Sequence, residues 1–151
     1  MGFMKPNFLL ILILNITLVL CQFPKQNIPQ RKIIYLTKEE KEFVLMEMRQ
    51  LLKSIHNIHT GLYEENYNFA YNSAKKVGMN MVNELQAAEK FILLKLPSEF
   101  KQLGFSTHKQ FDILAESIKH KNNKEIQKNL SILTSYCISC HDLYALEVEE
   151  K

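Results

Sequence analysis

The stretch Thr37-Lys-Glu-Glu-Lys-Glu-Phe-Val-Leu-Met-Glu-Met-Arg-Gln-Leu-Leu-Lys-Ser-Ile-His-Asn-Ile-His-Thr60 indicates the fold class, because it carries the signals of a long amphipathic helix. Its first residues form a capping box, in which the Thr37 side chain accepts a hydrogen bond from the first turn and Glu40 reaches back to the cap. Apolar side chains then recur three and four residues apart, at Val44, Leu45, Met48, Leu51, Leu52, Ile55 and Ile58. Gly61 follows as a natural stop. We therefore predict one helix from Thr37 to Thr60.

The next part of the chain predicts a second helix, whose end the sequence leaves open. It begins near Glu64 and carries further apolar residues at helical spacing. Gly78 is a weak helix former, so the helix either breaks there or continues to Leu96. Pro97 cannot continue a helix, and we expect a short turn over Pro97–Gly104 after it.

Two further helices complete the predicted fold. A second capping-box pattern, Thr107-His-Lys-Gln110, opens the third helix. The fourth carries apolar residues at steps of three and four from Ile126 to Tyr144. Amphipathic helices joined by short loops are typical of an antiparallel bundle. The sequence thus predicts an all-α fold, an antiparallel four-helix bundle over residues 37–146.

The two ends of the chain predict segments outside this bundle. Residues 1–21 hold one lysine before an apolar run of about 14 residues, which suits a signal peptide and falls short of a membrane span. Two alternatives stay open, an uncleaved anchor and a lipid on Cys21, and all three interpretations export the domain. Residues 22–36 contain two prolines and are interpreted as a tether, and residues 147–151 as a solvated end.

Composition bounds the class of protein. The chain has 151 residues, of which 46% are hydrophobic, and a formal net charge of +3. That length suits one domain with a real core, and the apolar content excludes an intrinsically disordered protein. The mild charge excludes a strongly basic nucleic-acid binder. We therefore expect a single folded domain that does not bind nucleic acid.

The last predicted helix carries Cys137-Ile-Ser-Cys140-His141, the CxxCH signal for covalent attachment of haem c. Two thiols must reach the two vinyl groups of one porphyrin edge, and the adjacent imidazole must reach the iron. Positions i, i+3 and i+4 of a helix share one side, which suits that geometry. The sequence therefore predicts one covalent haem, with Cys137 and Cys140 as attachment sites and His141 as an axial ligand.

Three other interpretations of the motif are weaker. A thioredoxin-type CxxC needs a preceding strand and a helix N-terminus that lowers the thiol pKa, whereas this motif lies late in a helix. A zinc site needs a second pair of ligands, and the only other cysteine, Cys21, lies in the predicted leader. A structural disulfide leaves the adjacent His141 unexplained.

The order of these features resembles the cytochrome c-prime family. Its members are four-helix-bundle haem proteins of the bacterial periplasm, often dimeric, with the CxxCH motif in the last helix. The segments Leu96–Gly104, His108–Asp112 and Cys137–Tyr144 look like a subgroup of c-prime-like proteins. One departure is that Tyr144 and Ala145 stand where members often carry an arginine or lysine for a haem propionate. The resemblance implies a periplasmic location and leaves a homodimer open.

The resemblance also implies the source of the sixth iron ligand. In low-spin members it is a methionine of the first helix, followed by apolar residues at +3, +7 and +10, and such residues follow Met48 at these offsets. Met48 is therefore the expected ligand, and thioether ligation favours electron transfer. The alternatives are an open sixth position in an apolar pocket with Met48 as core filler, or ligation by Met46, His56 or His59.

Four side chains are predicted to line the haem pocket, two on the first helix and two on the last: Leu45, Leu52, Leu133 and Tyr144. His108 stands at the predicted start of the third helix. We expect it to serve the structure or to face a propionate rather than to bind iron.

These expectations favour a function in electron transfer. The leading hypothesis is an exported, non-enzymatic monohaem cytochrome c that passes single electrons to a partner protein, with His141 and Met48 on the iron. The alternative is a five-coordinate haem protein that binds NO or CO. A peroxidase would need a distal acid–base pair over the iron, and the sequence identifies none. Membrane contact is expected only through an uncleaved or lipidated leader.

Overall fold

The computed structural model describes residues 30–150, and 77% of them are helical. This confirms the predicted predominance of helix, while the predicted leader lies outside the described residues. In chain order the elements are β1 (Lys32–Leu36), α1 (Lys38–Tyr63), α2 (Tyr67–Lys76), α3 (Met79–Asn83), α4 (Ala87–Lys95), α5 (Ser98–Lys119), α6 (Asn123–Leu143) and β2 (Tyr144–Val148).

Helix α1 begins as its capping box predicts. The Thr37 N–H donates to Glu40 Oε2 at 2.9 Å, and the Glu40 N–H donates to Thr37 Oγ1 at 3.3 Å. Gly61 does not end the helix, which continues to Tyr63. It lies at a close approach of α1 to α2, because a Cβ at this position would be 2.9 Å from the Ala70 nitrogen. The glycine thus serves packing rather than helix termination.

The predicted second helix is broken into α2, α3 and α4, which answers the question left open at Gly78. Asp112 of α5 reaches across this break: its Oδ2 accepts from the Met79 N–H at 2.9 Å, and its Oδ1 pairs with Lys75 at 2.5 Å. A Cβ at residue 78 would collide with that carboxylate. The break therefore depends on a side chain from another helix, which the local sequence does not show.

Helix α5 corrects two predictions. The expected turn over Pro97–Gly104 is wrong, because α5 begins at Ser98, directly after the proline. Thr107 does not open a helix, since its hydroxyl donates to the Leu103 carbonyl at 2.9 Å, one turn earlier in the same helix. Threonine can bond the preceding turn as well as cap a helix, so the sequence pattern did not distinguish the two.

Both ends of the described chain join in a small sheet that the sequence analysis does not predict. Strand β1 lies in the segment interpreted as a tether, and all five of its residues pair in parallel with β2. The tether interpretation is therefore wrong for residues 32–36. Helix α6 ends at Leu143, just before the predicted limit, and β2 extends into the predicted solvated end, although residues 147–150 are exposed.

Two buried clusters hold the elements together. The first cluster consists of Ile58, Ala70, Ala74, Val77, Phe111, Leu114, Ala115, Ile118, Ile126, Leu130 and Leu133. The second cluster consists of Ile34, Leu36, Val44, Leu96, Phe100 and Tyr144. Helix α1 runs from the second cluster to the first, and the segment α2–α4 runs from the first to the second. Helix α5 then runs from the second cluster to the first, and α6 runs from the first to the second. Both strands lie at the second cluster.

Candidate functional site

The CxxCH motif occupies the last two turns of α6. The helix is capped at its start by Asn122, whose side chain accepts from the Glu125 N–H at 3.3 Å, and it runs unbroken to the motif. At spacing i, i+3 and i+4 the side chains of Cys137, Cys140 and His141 share one side of the helix. The two cysteines are half-buried and the histidine is exposed. The helix itself therefore brings the three predicted residues together.

Both thiols of the motif are free. Burial raises the pKa of Cys137, whose Sγ donates to the Leu133 carbonyl at 3.6 Å. Burial also raises the pKa of Cys140, and the neighbouring Cys137 adds to that effect. A thioredoxin-type dithiol needs a lowered pKa and a helix N-terminus, whereas this pair lies at a helix C-terminus. The pair therefore lacks both features of a thioredoxin-type redox dithiol.

Met48 and the motif meet at the same cluster. Met48 is half-buried and packs against the second cluster from α1, and Cys140 packs against that cluster from α6. The three alternative ligands on α1, Met46, His56 and His59, are exposed. The side of α1 that packs against this cluster is thus the side that carries Met48.

The four predicted pocket residues fall into two pairs. Leu133 is buried in the first cluster, and Tyr144 is buried in the second, where its ring meets Phe100 edge-on at 5.2 Å. Leu45 is half-buried and Leu52 is 67% exposed. Leu133 precedes the motif on α6 but belongs to the first cluster, whereas Tyr144 follows α6 and belongs to the second cluster. Leu45 and Leu52 give apolar surface to α1 on either side of Met48.

His108 lies in the middle of α5, not at a helix start as predicted. The residue is only 3% exposed, and its Nδ1 is 2.8 Å from the Val77 carbonyl oxygen and its Nε2 3.2 Å from a Glu47 carboxylate oxygen. Because both neighbours only accept hydrogen bonds, the doubly protonated ring alone satisfies them. Burial disfavours this charge, but the bonds to Glu47 and Val77 prevail and raise the pKa of His108. His108 therefore binds Val77 and Glu47 with its two ring nitrogens, which leaves neither nitrogen free for iron.

Glu47 and strand β1 were not predicted, although both leave a signal in the sequence. Glu47 interrupts the apolar stripe next to Met48, and an acidic residue on a buried helix face needs a partner, here His108. Strand β1, Lys32-Ile-Ile-Tyr-Leu36, is rich in β-branched and aromatic residues, which is typical of a strand. The neighbouring prolines favour a tether instead, so the two signals conflict in this segment.

Comparison of the chain with protein-family models, with curated proteins and with solved structures finds no match. Within residues 30–150, no three His, Cys, Asp or Glu side chains converge as the ligands of a metal ion would. No helix in the same part of the chain is both long and apolar enough to cross a membrane. The CxxCH motif and its surroundings therefore define the candidate site.

Proposed function

We propose that this protein is a c-type cytochrome that carries one haem c and transfers single electrons. The observation that carries the proposal is the motif on α6, with two free, half-buried thiols on the same side of the helix as His141. Cys137 and Cys140 would bond the vinyl groups, and His141 would be an axial ligand. When bound, haem c supplies a one-electron iron couple.

Met48 is proposed as the second axial ligand. The support is that it packs from α1 against the cluster that Cys140 contacts from α6. A thioether on the iron raises the reduction potential, which suits an electron carrier. Leu45 and Leu52 flank Met48 on α1, and their apolar side chains would exclude water from the sulfur's side of the site.

We further propose that the chain forms an antiparallel four-helix bundle, in which α1, α5 and α6 are three of the helices and the broken segment α2–α4 takes the place of the second helix. The support is that α1, the segment α2–α4, α5 and α6 run between the two clusters in alternating directions. A group held by the C-terminal turns of α6 would then lie at the second cluster, where α1 begins.

The alternative function is the binding of NO or CO at a five-coordinate iron. Met48 is only half-buried, and Leu45 and Leu52 supply an apolar surface beside it, which suits an open gas site. His141 would then be the one axial ligand, and Met48 would be core filler. In both cases the function is proposed to be non-enzymatic, since the sequence identifies no distal acid–base pair of the kind a peroxidase needs. His108 binds Val77 and Glu47 with its two ring nitrogens.

The proposal includes export to the periplasm through the apolar leader over residues 1–21. We expect the partner to be a redox protein that exchanges one electron, and the proposal includes no nucleic-acid partner. The family resemblance leaves a homodimer open, and membrane contact would be confined to an uncleaved or lipidated leader.

An absorption spectrum of the protein, co-expressed with a haem c maturation system, tests these functions. The ferric and ferrous forms are measured with and without CO. A low-spin spectrum that CO does not change supports electron transfer with His141 and Met48 as ligands. A high-spin ferrous spectrum that shifts with CO supports gas binding. A protein without covalent haem contradicts both.

Three variants, one of which is a control, test the roles of the proposed ligands and attachment sites. Replacing both cysteines, Cys137→Ala with Cys140→Ala, should abolish the haem stain on a denaturing gel. Met48→Ala should turn the spectrum high-spin, whereas Met46→Ala should leave it low-spin. Met46 is a matched control because it is the same residue type on the same helix, exposed and two positions away. Equal effects of the two methionine variants would contradict Met48 as ligand.

A further inference from the structure

The strand pair connects the two helices that carry the proposed axial ligands. Strand β1 is separated from α1 by Thr37 alone, and β2 follows α6 directly, beginning at Tyr144. The strands pair over their whole length, and the Glu149 N–H adds a hydrogen bond to the Leu36 carbonyl at 2.9 Å. The sheet therefore ties the start of α1 to the end of α6.

The main helix contacts do not join α1 directly to α6, so the strand pair is a separate link between these two helices. The main helix contacts run from α1 to α2, from α2 to α5, and from α5 to α6. Strand β2, by contrast, packs on α1 itself. The residues that follow the CxxCH motif thus link α6 directly to the helix that carries Met48.

The inner face of the strand pair belongs to the second cluster. Ile34 and Leu36 are buried in it, and Leu146, which pairs with Ile34, packs against it. Met48 and Cys140 pack against the same cluster. The inner face of the strand pair, Met48 and Cys140 therefore all pack against the second cluster.

We infer that the β1–β2 pair is a clasp that positions Met48 over the haem iron and keeps the sixth coordination site closed. The inference rests on the proposed function. Cys137, Cys140 and His141 lie on one helix, so covalent attachment does not depend on how α1 and α6 are placed. The Met48 sulfur lies on the other helix and does depend on it. Loosening the strands therefore releases the sulfur without releasing the haem.

The test compares the inner and outer faces of one strand. Ile34→Ala and Leu146→Ala each remove part of the inner face, and Ile33→Ala is the matched control, because Ile33 is 42% exposed on the outer face of β1. Covalent haem content, ferric spin state and the rate of CO binding to the ferrous protein are measured. We expect unchanged haem content, with CO binding at least about tenfold faster in the two inner-face variants and unchanged in Ile33→Ala.

A second readout needs no haem. Hydrogen exchange in the haem-free protein should be faster for amides of residues 44–52 in Ile34→Ala, while residues 111–118 of the first cluster keep their protection. Ile34→Val removes a single methyl group and should raise the exchange rate of the same amides by a smaller factor. This milder variant keeps the test available if Ile34→Ala does not fold.

Three results would overturn the clasp. One is an unchanged spin state and CO rate in folded inner-face variants that keep their covalent haem. The second is an equal effect of Ile33→Ala, and the third is an unmodified protein that already binds CO freely. The first two results leave the proposed electron carrier intact. Absence of covalent haem from the unmodified protein would overturn the proposed function and the clasp together.

Discussion

The two ends of the molecule pack differently. Among the largest fully buried side chains of the described chain, only Leu36 belongs to the second cluster and the others belong to the first. Beside the second cluster lie Met48 and Cys140, which are half-buried. The first end therefore completes its own core, while the second end leaves the candidate haem-binding residues accessible. Stability and the candidate site thus concentrate at opposite ends.

The largest expected effect is the loss of an aromatic ring from the first cluster. Phe111→Ala should lower the free energy of unfolding by about 3–5 kcal/mol, since the ring is fully buried and its removal leaves a cavity. Phe100→Ala, in the second cluster, should cost less. Urea denaturation of both haem-free variants, followed by circular dichroism, measures the difference. Equal losses would show that the two ends are equally well packed.

The next test compares Gly61, where the surrounding atoms are close, with Gly104, where none lies within 4 Å of an added Cβ. Gly61→Ala should destabilise the protein by about 1–3 kcal/mol, because the new methyl group would press on the Ala70 backbone near the first cluster. Gly104→Ala should instead stabilise it by about 0.5–1 kcal/mol, because it lies within α5 with nothing within 4 Å of the new methyl group. The same denaturation measurement applies. Loss of stability in Gly104→Ala would contradict an open surface there.

A third expected effect concerns the ion pair between Glu47 and His108, beside Met48. The pKa of His108 is raised in the folded protein. The ion pair therefore stabilises the fold fully below pH 6.5, the ordinary pKa of histidine, and this stabilisation is lost as the pH rises through the raised pKa. Asp112 has a lowered pKa and stays ionised in that range. Stability should therefore decline above pH 6.5.

The variant His108→Gln should lower stability at pH 6 by on the order of 1–2 kcal/mol, since a charged hydrogen bond is lost, and should flatten the decline at higher pH. His56→Gln, at an exposed position of α1, is the control and should keep the pH dependence of the unmodified protein. Unfolding free energies from pH 6 to pH 9 test this. A flat profile for the unmodified protein would contradict a charged His108.

Local patterns predicted the parts of the fold that depend on neighbours in the chain. The capping box of Thr37 and Glu40 forms as expected because both partners lie in one turn. The same pattern failed at Thr107, since a hydroxyl within a helix bonds the preceding turn equally well. The break at Gly78 could not be located from the sequence, because the carboxylate that occupies its Cβ position comes from Asp112 of another helix.

The sequence by itself determined that the chain is helical and that Cys137, Cys140 and His141 lie together, because residues three and four apart on a helix are neighbours whatever the rest of the molecule does. Only the tertiary structure decided that Met48 and Cys140 share one cluster and that β1 pairs with β2. Those contacts join residues about a hundred positions apart, and they depend on how whole helices pack, which no local pattern encodes.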